Sequence, residues 1–199
     1  MEPRIDPRQG LFADLAAFGA RKRFGREMSS SRVFARHPRL MVGYMRYNRA
    51  AEHTPHVPRP LAELGVLRAA TMVGCEFCID IASEYSRRAG LTDEQLRSLQ
   101  DAHASGLFDD DQLLVIDLAT GMSTTPGEVE EDLMARVQAR LGVKGTMELV
   151  RLIAWENARA RMNVALGIGA EGFSAGKACA LPYAEEAPGS VVTDSAGTR

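Results

Sequence analysis

The stretch TMELVRLIAWENARARMNVALGI, residues 146–168, is apolar on most sides when wound as a helix, with Met147, Leu149, Val150, Leu152, Ile153 and Trp155 followed by Met162, Val164 and Ile168. A surface helix keeps its apolar residues on one face, so a helix apolar most of the way round belongs inside a bundle or at a subunit contact. LAELGVLRAATMV, residues 61–73, has the same character. Two such helices in one chain need others to cover them. No run shows the two-residue alternation bounded by turn residues that marks a half-buried strand. The expected fold is therefore all-α, a multi-helix bundle.

Working outward, helix boundaries follow from capping chemistry. Thr92-Asp93-Glu94-Gln95 is a capping box that opens a helix to about Ala102, and Gly90 closes the helix before it. Asp109 to Asp111 suit the start of a helix through Gly121. Thr125-Pro126-Gly127-Glu128 carries a similar signal with proline at the first helical position, predicting a helix to about Leu141 that Gly142 ends. Thr146 then opens the last helix. Residues 1–36 read as an N-terminal arm with a helical patch at 11–24, residues 37–182 as the helical domain, and residues 183–199, aperiodic and rich in small residues, proline and acids, as a flexible tail.

With 199 residues, 45% hydrophobic and 25% charged, the chain suits one globular domain. A net charge of -2 leaves no electrostatic footprint for nucleic acid, so neither DNA nor RNA is an expected partner. Leu149 to Trp155 is interrupted by Arg151, well short of the ~18 apolar residues of a spanning helix, so no membrane partner is expected. Three cysteines without a secretory leader point to a reducing cytoplasm, where a C-x-x-C pair is redox-active or metal-binding more often than structural.

That pair lies in Gly74-Cys75-Glu76-Phe77-Cys78. Three residues apart on a helix, the sulfurs share a face and reach each other, and a first-turn position favours a thiolate. The face continues through Ala82, Tyr85 and Ala89, an apolar stripe suited to an organic substrate. Glu76, Asp80, Ser83 and Arg87 fall on the more polar side. A zinc site needs two further ligands, and neither Cys179 nor His37, His53, His56 and His103 forms a second pair at metal-site spacing, so no metal is expected. Gly167-Ile168-Gly169 ends a helix instead of following a strand, so no phosphate-binding cofactor is expected either.

Pro60-Leu61-Ala62-Glu63-Leu64, Cys75-Glu76-Phe77-Cys78-Ile79-Asp80-Ile81, Trp155-Glu156-Asn157 and Arg161-Met162-Asn163 together resemble the carboxymuconolactone decarboxylase family, in its alkyl hydroperoxidase D-like branch. The resemblance spans roughly residues 37–168. The branch pattern is a glutamate, eleven residues, cysteine, two residues, cysteine, three residues, histidine. Glu63, Cys75 and Cys78 match it, and Ala82 stands in the histidine place.

The resemblance implies an all-α bundle assembled as a homo-oligomer (dimer, trimer or hexamer), a disulfide-cycling pair and a thiol-dependent peroxidase or disulfide oxidoreductase that reduces organic hydroperoxides. It needs no cofactor, and an external dithiol regenerates it. Cys78 would be the attacking thiolate, Cys75 the resolving thiol and Glu63 part of the proton relay, left incomplete by the missing histidine. The rivals are lactone decarboxylation, which requires no disulfide, and a non-enzymatic redox-sensing or scaffold module.

Stand-ins for the histidine are few. Asp80 lies about 200° round the helix from Cys78, Tyr85 roughly 10 Å along it, and His103 reads as a solvated side chain near a loop. Glu63 is about 18 Å from Cys75 along a straight helix, so contact requires a break or a neighbouring subunit. Asn157, Arg161 and Asn163, polar on a buried helix, read as a network holding helices or subunits together.

Overall fold

Local capping chemistry sets several helix boundaries in the computed structural model, which describes residues 3–7 and 9–174. Nine α-helices and no strand occur among the described residues. The expected tail at 183–199, the last residues of the expected domain and Cys179 lie outside them.

The helices are α1 (Leu11–Phe24), α2 (Ser29–Phe34), α3 (Pro38–Ala51), α4 (Arg59–Val73), α5 (Glu76–Arg88), α6 (Asp93–Arg97), α7 (Ala102–Ser105), α8 (Asp110–Ser123) and α9 (Glu131–Leu166). Thr92 and Asp109 each accept from the backbone amide three residues on, and Gln95 and Gln112 reach back, so both form capping boxes. The helix from Thr92 is shorter than expected: it stops at Arg97 and gives way to a 3-10 turn, Leu99–Asp101, before α7.

Two expectations about α9 need correction. It starts at Glu131, not near Pro126, because the Glu128 amide donates to the Gly121 carbonyl at 3.0 Å and folds the preceding residues back onto α8. Gly121 must be glycine there, since a Cβ would lie 2.2 Å from the Glu128 carbonyl oxygen. Gly142 does break the helix, with φ 66° and ψ 174°, but the helix resumes at once. Thr146 therefore sits inside the new first turns, its hydroxyl donating to the Gly142 carbonyl, and does not open the helix.

The bundle is organised around α4, which packs against α5, α8 and α9. Leu64 and Leu67 of α4 are fully buried, each stabilising the fold by roughly 1.5–3 kcal/mol. Gly65 lets Val115 of α8 and Leu149 and Ile153 of α9 close in on the α4 backbone. The second half of α9 runs parallel to α4: His56, just before α4, bonds Glu148, Gly65 meets Ile153, and Cys78, just after α4, meets Asn163. Gly74, left-handed at φ 75°, ends α4 and turns the chain so that α5 packs back against it.

The N-terminal segment folds as α1 and α2, packed on each other, with Ala20, Met28 and Val33 joining the main core. It is tied to the end of α9 and the residues just after it: the Arg4 amide donates to the Leu166 carbonyl, and the Ser29 amide donates to Glu171 at 2.7 Å. No described helix is long and apolar enough to cross a membrane.

Candidate functional site

Cys75 caps α5. With extended backbone at φ -86° and ψ 97°, its sulfur accepts from the Cys78 amide at 3.2 Å. Cys78 is thereby fixed in the first turn, and the two sulfurs lie at disulfide distance with Cα atoms 5.2 Å apart. The first turn of a helix presents unpaired amides and the positive end of its dipole, the setting in which sulfur is held as an anion.

Both cysteines belong to the core, 1% and 3% exposed. Neither sulfur is open to solvent. Two surface depressions, one lined by Asp117, Gly121, Thr124 and Arg136 and the other by Pro7, Gln9, Asp14 and Arg32, include no cysteine. Phe77, Ile79 and Ala82 close the sulfurs in from their own helix, with Ala82, at the histidine place, only 2% exposed.

Asn163 of α9 meets the cysteine pair from elsewhere, its Nδ2 donating to the Cys78 sulfur at 3.4 Å. Sequence reasoning placed it in a structural network with Asn157 and Arg161. Those two do form one: Arg161 bonds Asn157 at 2.6 Å and Asn157 bonds Ser123 of α8 at 2.8 Å. Asn163 stands apart from it, its Oδ1 buried and without a hydrogen-bond partner among the described residues. The available signal was its position seven residues after Glu156, nearly two full helical turns, which puts both on one face.

Glu63 is one turn into α4, 3.8 Å from Arg59, with its side chain 23% exposed. Burial pushes its carboxyl above the usual range; Arg59 pulls the other way, and Glu52, Arg159 and Glu156 also act on it. The structure thus brings Cys75 and Cys78 together and gives Glu63 no hydrogen bond to either. Glu63 faces a charged cluster centred on Glu156, which is fully buried in α9. Glu156 Oε2 accepts from Arg159, while Oε1 has no partner among the described residues. Burial also pushes the Glu156 carboxyl up, against the pull of Arg159. Nothing in the sequence reading singled out Glu156 for chemistry.

On the polar side of α5, Glu76 is exposed, but Asp80 and Ser83 are buried, and residues 171–174 fold over Asp80. The amides of Glu171, Phe173 and Ser174 and the Ser174 hydroxyl all donate to the Asp80 carboxylate at 2.7–3.0 Å. Burial alone would raise the Asp80 carboxyl, but these bonds outweigh it and hold it below the usual range. Of the stand-ins for histidine, His103 pairs with Asp117 at 2.7 Å and Tyr85 lies beside Arg88. No group of three potential metal ligands occurs among the described residues.

Comparison with known proteins agrees with this geometry. Residues 38–110, which contain Glu63 and both cysteines, match the carboxymuconolactone decarboxylase family. The uncharacterized protein YnjA of Escherichia coli (strain K12) is 32% identical over 169 residues, 81% of this chain and 87% of its own. The chain belongs to the carboxymuconolactone decarboxylase family. A second family-level relative, the uncharacterized protein YdfG of Bacillus subtilis (strain 168), is 23% identical over 65% of this chain and 86% of its own. Two solved structures share the all-α fold of this carboxymuconolactone decarboxylase-family chain. Apo debrominase Bmp8 has a TM-score of 0.72 at 16% identity, covering 84% of this chain and 91% of its own. A cysteine-to-alanine variant of Bmp8 in complex with 2,3,4-tribromopyrrole has a TM-score of 0.74 at 15% identity, covering 87% and 94%.

Proposed function

We propose that this protein is a thiol-dependent oxidoreductase of the alkyl hydroperoxidase D-like kind, reducing organic hydroperoxides through Cys75 and Cys78. The observation that carries the reading is the N-terminal turn of α5, where Cys75 caps the helix, Cys78 lies at disulfide distance, and Asn163 donates to the Cys78 sulfur. The Cys78 thiolate attacks the terminal oxygen of the hydroperoxide. The O–O bond breaks, the alkoxide takes a proton and leaves as an alcohol, and Cys78 becomes a sulfenic acid. Cys75 attacks that sulfur, water leaves, and the disulfide forms.

An external dithiol returns the pair to the reduced state and is itself oxidised. Glu63, with its raised carboxyl, belongs to the path that supplies the proton. Because both sulfurs are buried, the substrate reaches them as the first turn of α5 moves away from Asn163. The proposed setting is the reducing cytoplasm, in a homo-oligomer, with no membrane or nucleic-acid partner.

The test is the rate of thiol loss when the reduced protein meets cumene hydroperoxide near neutral pH, with mass mapping of the product. Loss much faster than that of a free thiol, ending in a Cys75–Cys78 disulfide, supports the reading. Thiols no faster than a free thiol overturn it.

A second reading is favoured by the shared fold of debrominase Bmp8. The same two-electron dithiol oxidation would replace a carbon–bromine bond by carbon–hydrogen, releasing bromide and a proton. Bromide release from a bromopyrrole, with no hydroperoxide consumption, would select it.

A further inference from the structure

The reduction proposed above needs a proton donor, and the histidine place holds a buried alanine. Two buried oxygens on α9 are orphaned. Glu156 Oε1 and Asn163 Oδ1 are enclosed without hydrogen-bond partners among the described residues, on residues 0% and 3% exposed. Such groups are rare in native interiors, and two on one helix ask for a role. Glu156 and Asn163 are seven residues apart, about 10 Å along the axis on one face. Between them on that face is Ala160, fully buried, whose methyl group is the smallest side chain that could separate them.

The line has two ends. Asn163 meets the Cys78 sulfur, and Glu156 lies within electrostatic range of Glu63, the partly exposed carboxyl at the start of α4. Resting on the peroxidase reading, we propose that Glu156 is the proton-supplying residue of this protein, feeding the alkoxide formed at Cys78 through solvent lodged between its free oxygen and that of Asn163. It thereby takes over the histidine's task from a different helix.

Glu156 acts through Asn163 and solvent without touching the sulfur. In the step, the protonated Glu156 carboxyl gives its proton toward the departing alkoxide and becomes a carboxylate beside Arg159. Glu63 returns a proton from bulk water, because its side chain reaches the surface. In the resolving step the Cys75 thiol proton leaves with the sulfenic hydroxyl as water, so Glu156 starts and ends protonated. The charged groups that act on it are Arg159 on its own helix and Glu52 just past α3, and Glu63 on α4 lies within electrostatic range. Burial keeps its carboxyl protonated to higher pH than usual, consistent with a donor.

The test compares wild type and Glu156→Gln in three reactions of the reduced protein. Cumene hydroperoxide needs its alkoxide protonated; peroxybenzoic acid has a far better leaving group; iodoacetamide reports thiolate reactivity alone. The expected result is a fall of about 10²-fold with cumene hydroperoxide, little change with the other two reagents, and loss of the alkaline decline in the pH profile. Glu156→Asp should restore part of the rate and the decline. Equal rates and profiles with cumene hydroperoxide, or an equal fall with all three reagents, would overturn the inference while leaving the peroxidase reading standing. A wild type no faster than a free thiol would instead remove the reading itself. If Glu156→Gln does not fold, Asn163→Leu takes its place, judged by the same ratio of hydroperoxide to peracid rates.

Discussion

The two faces of α5 hold their polar groups in opposite ways. On one, the Cys78 sulfur meets a single side-chain donor, Asn163 at 3.4 Å. On the other, Asp80, two residues later, gathers four hydrogen bonds from residues 171–174. Sulfur is a weak acceptor and a carboxylate a strong one, so the helix is anchored by its Asp80 face.

Cys78→Ser should separate the two faces most strongly. Hydroperoxide consumption coupled to a small dithiol should drop to the rate of the dithiol alone, with α5 and the melting temperature little changed; retained turnover would show that the sulfur face is not the reactive one. Asp80→Ala should instead cost about 3 kcal/mol of stability in a denaturant titration, because buried amides lose their acceptor. Its pH signature is defined. A carboxyl held below its ordinary value contributes stability that is present above about pH 4 and is lost as pH falls through its folded value. Asp80→Asn should flatten the acid limb of the stability curve.

Ala82→His tests whether the histidine place can still take its residue. The site is buried, so overpacking should cost about 1–3 kcal/mol, visible as a lower melting temperature. In the molecules that fold, hydroperoxide reduction should accelerate; no acceleration would mean that the gap in the motif does not limit the rate. The smallest effect is expected at Glu63. Its carboxyl is raised by burial, so the folded state favours the protonated form and wild-type stability declines as pH rises above about 4.5. Glu63→Gln should therefore be more stable at pH 7 by up to about 1 kcal/mol, with no difference at pH 4, in paired denaturant titrations.

What was legible in the sequence was local. The capping boxes at Thr92 and Asp109 act within three residues, and the cysteine pair within one helical turn. The apolar runs at 61–73 and 146–168 declare burial wherever they end up. What escaped was decided at long range: Asp80 finds its donors more than 90 residues away, and Asn163 finds Cys78 at a separation of 85. Thr125-Pro126-Gly127-Glu128 carries a valid helix-start signal that lost to the closure of Glu128 onto Gly121, a contact invisible without α8 in place. Glu156 is one acid in a run read as buried, and only the packed structure shows that its carboxyl is fully enclosed.

Residues 171–174 do more than cover Asp80. Glu171 also accepts from Ser29 at the start of α2, so one short segment clasps the cysteine helix and the N-terminal helices together. The amides of Glu171, Phe173 and Ser174 should consequently exchange with deuterium as one cooperative unit, and trimming either end of the chain should quicken that exchange. The cysteine-bearing helix is latched by residues 171–174, which the N-terminal helices hold in turn.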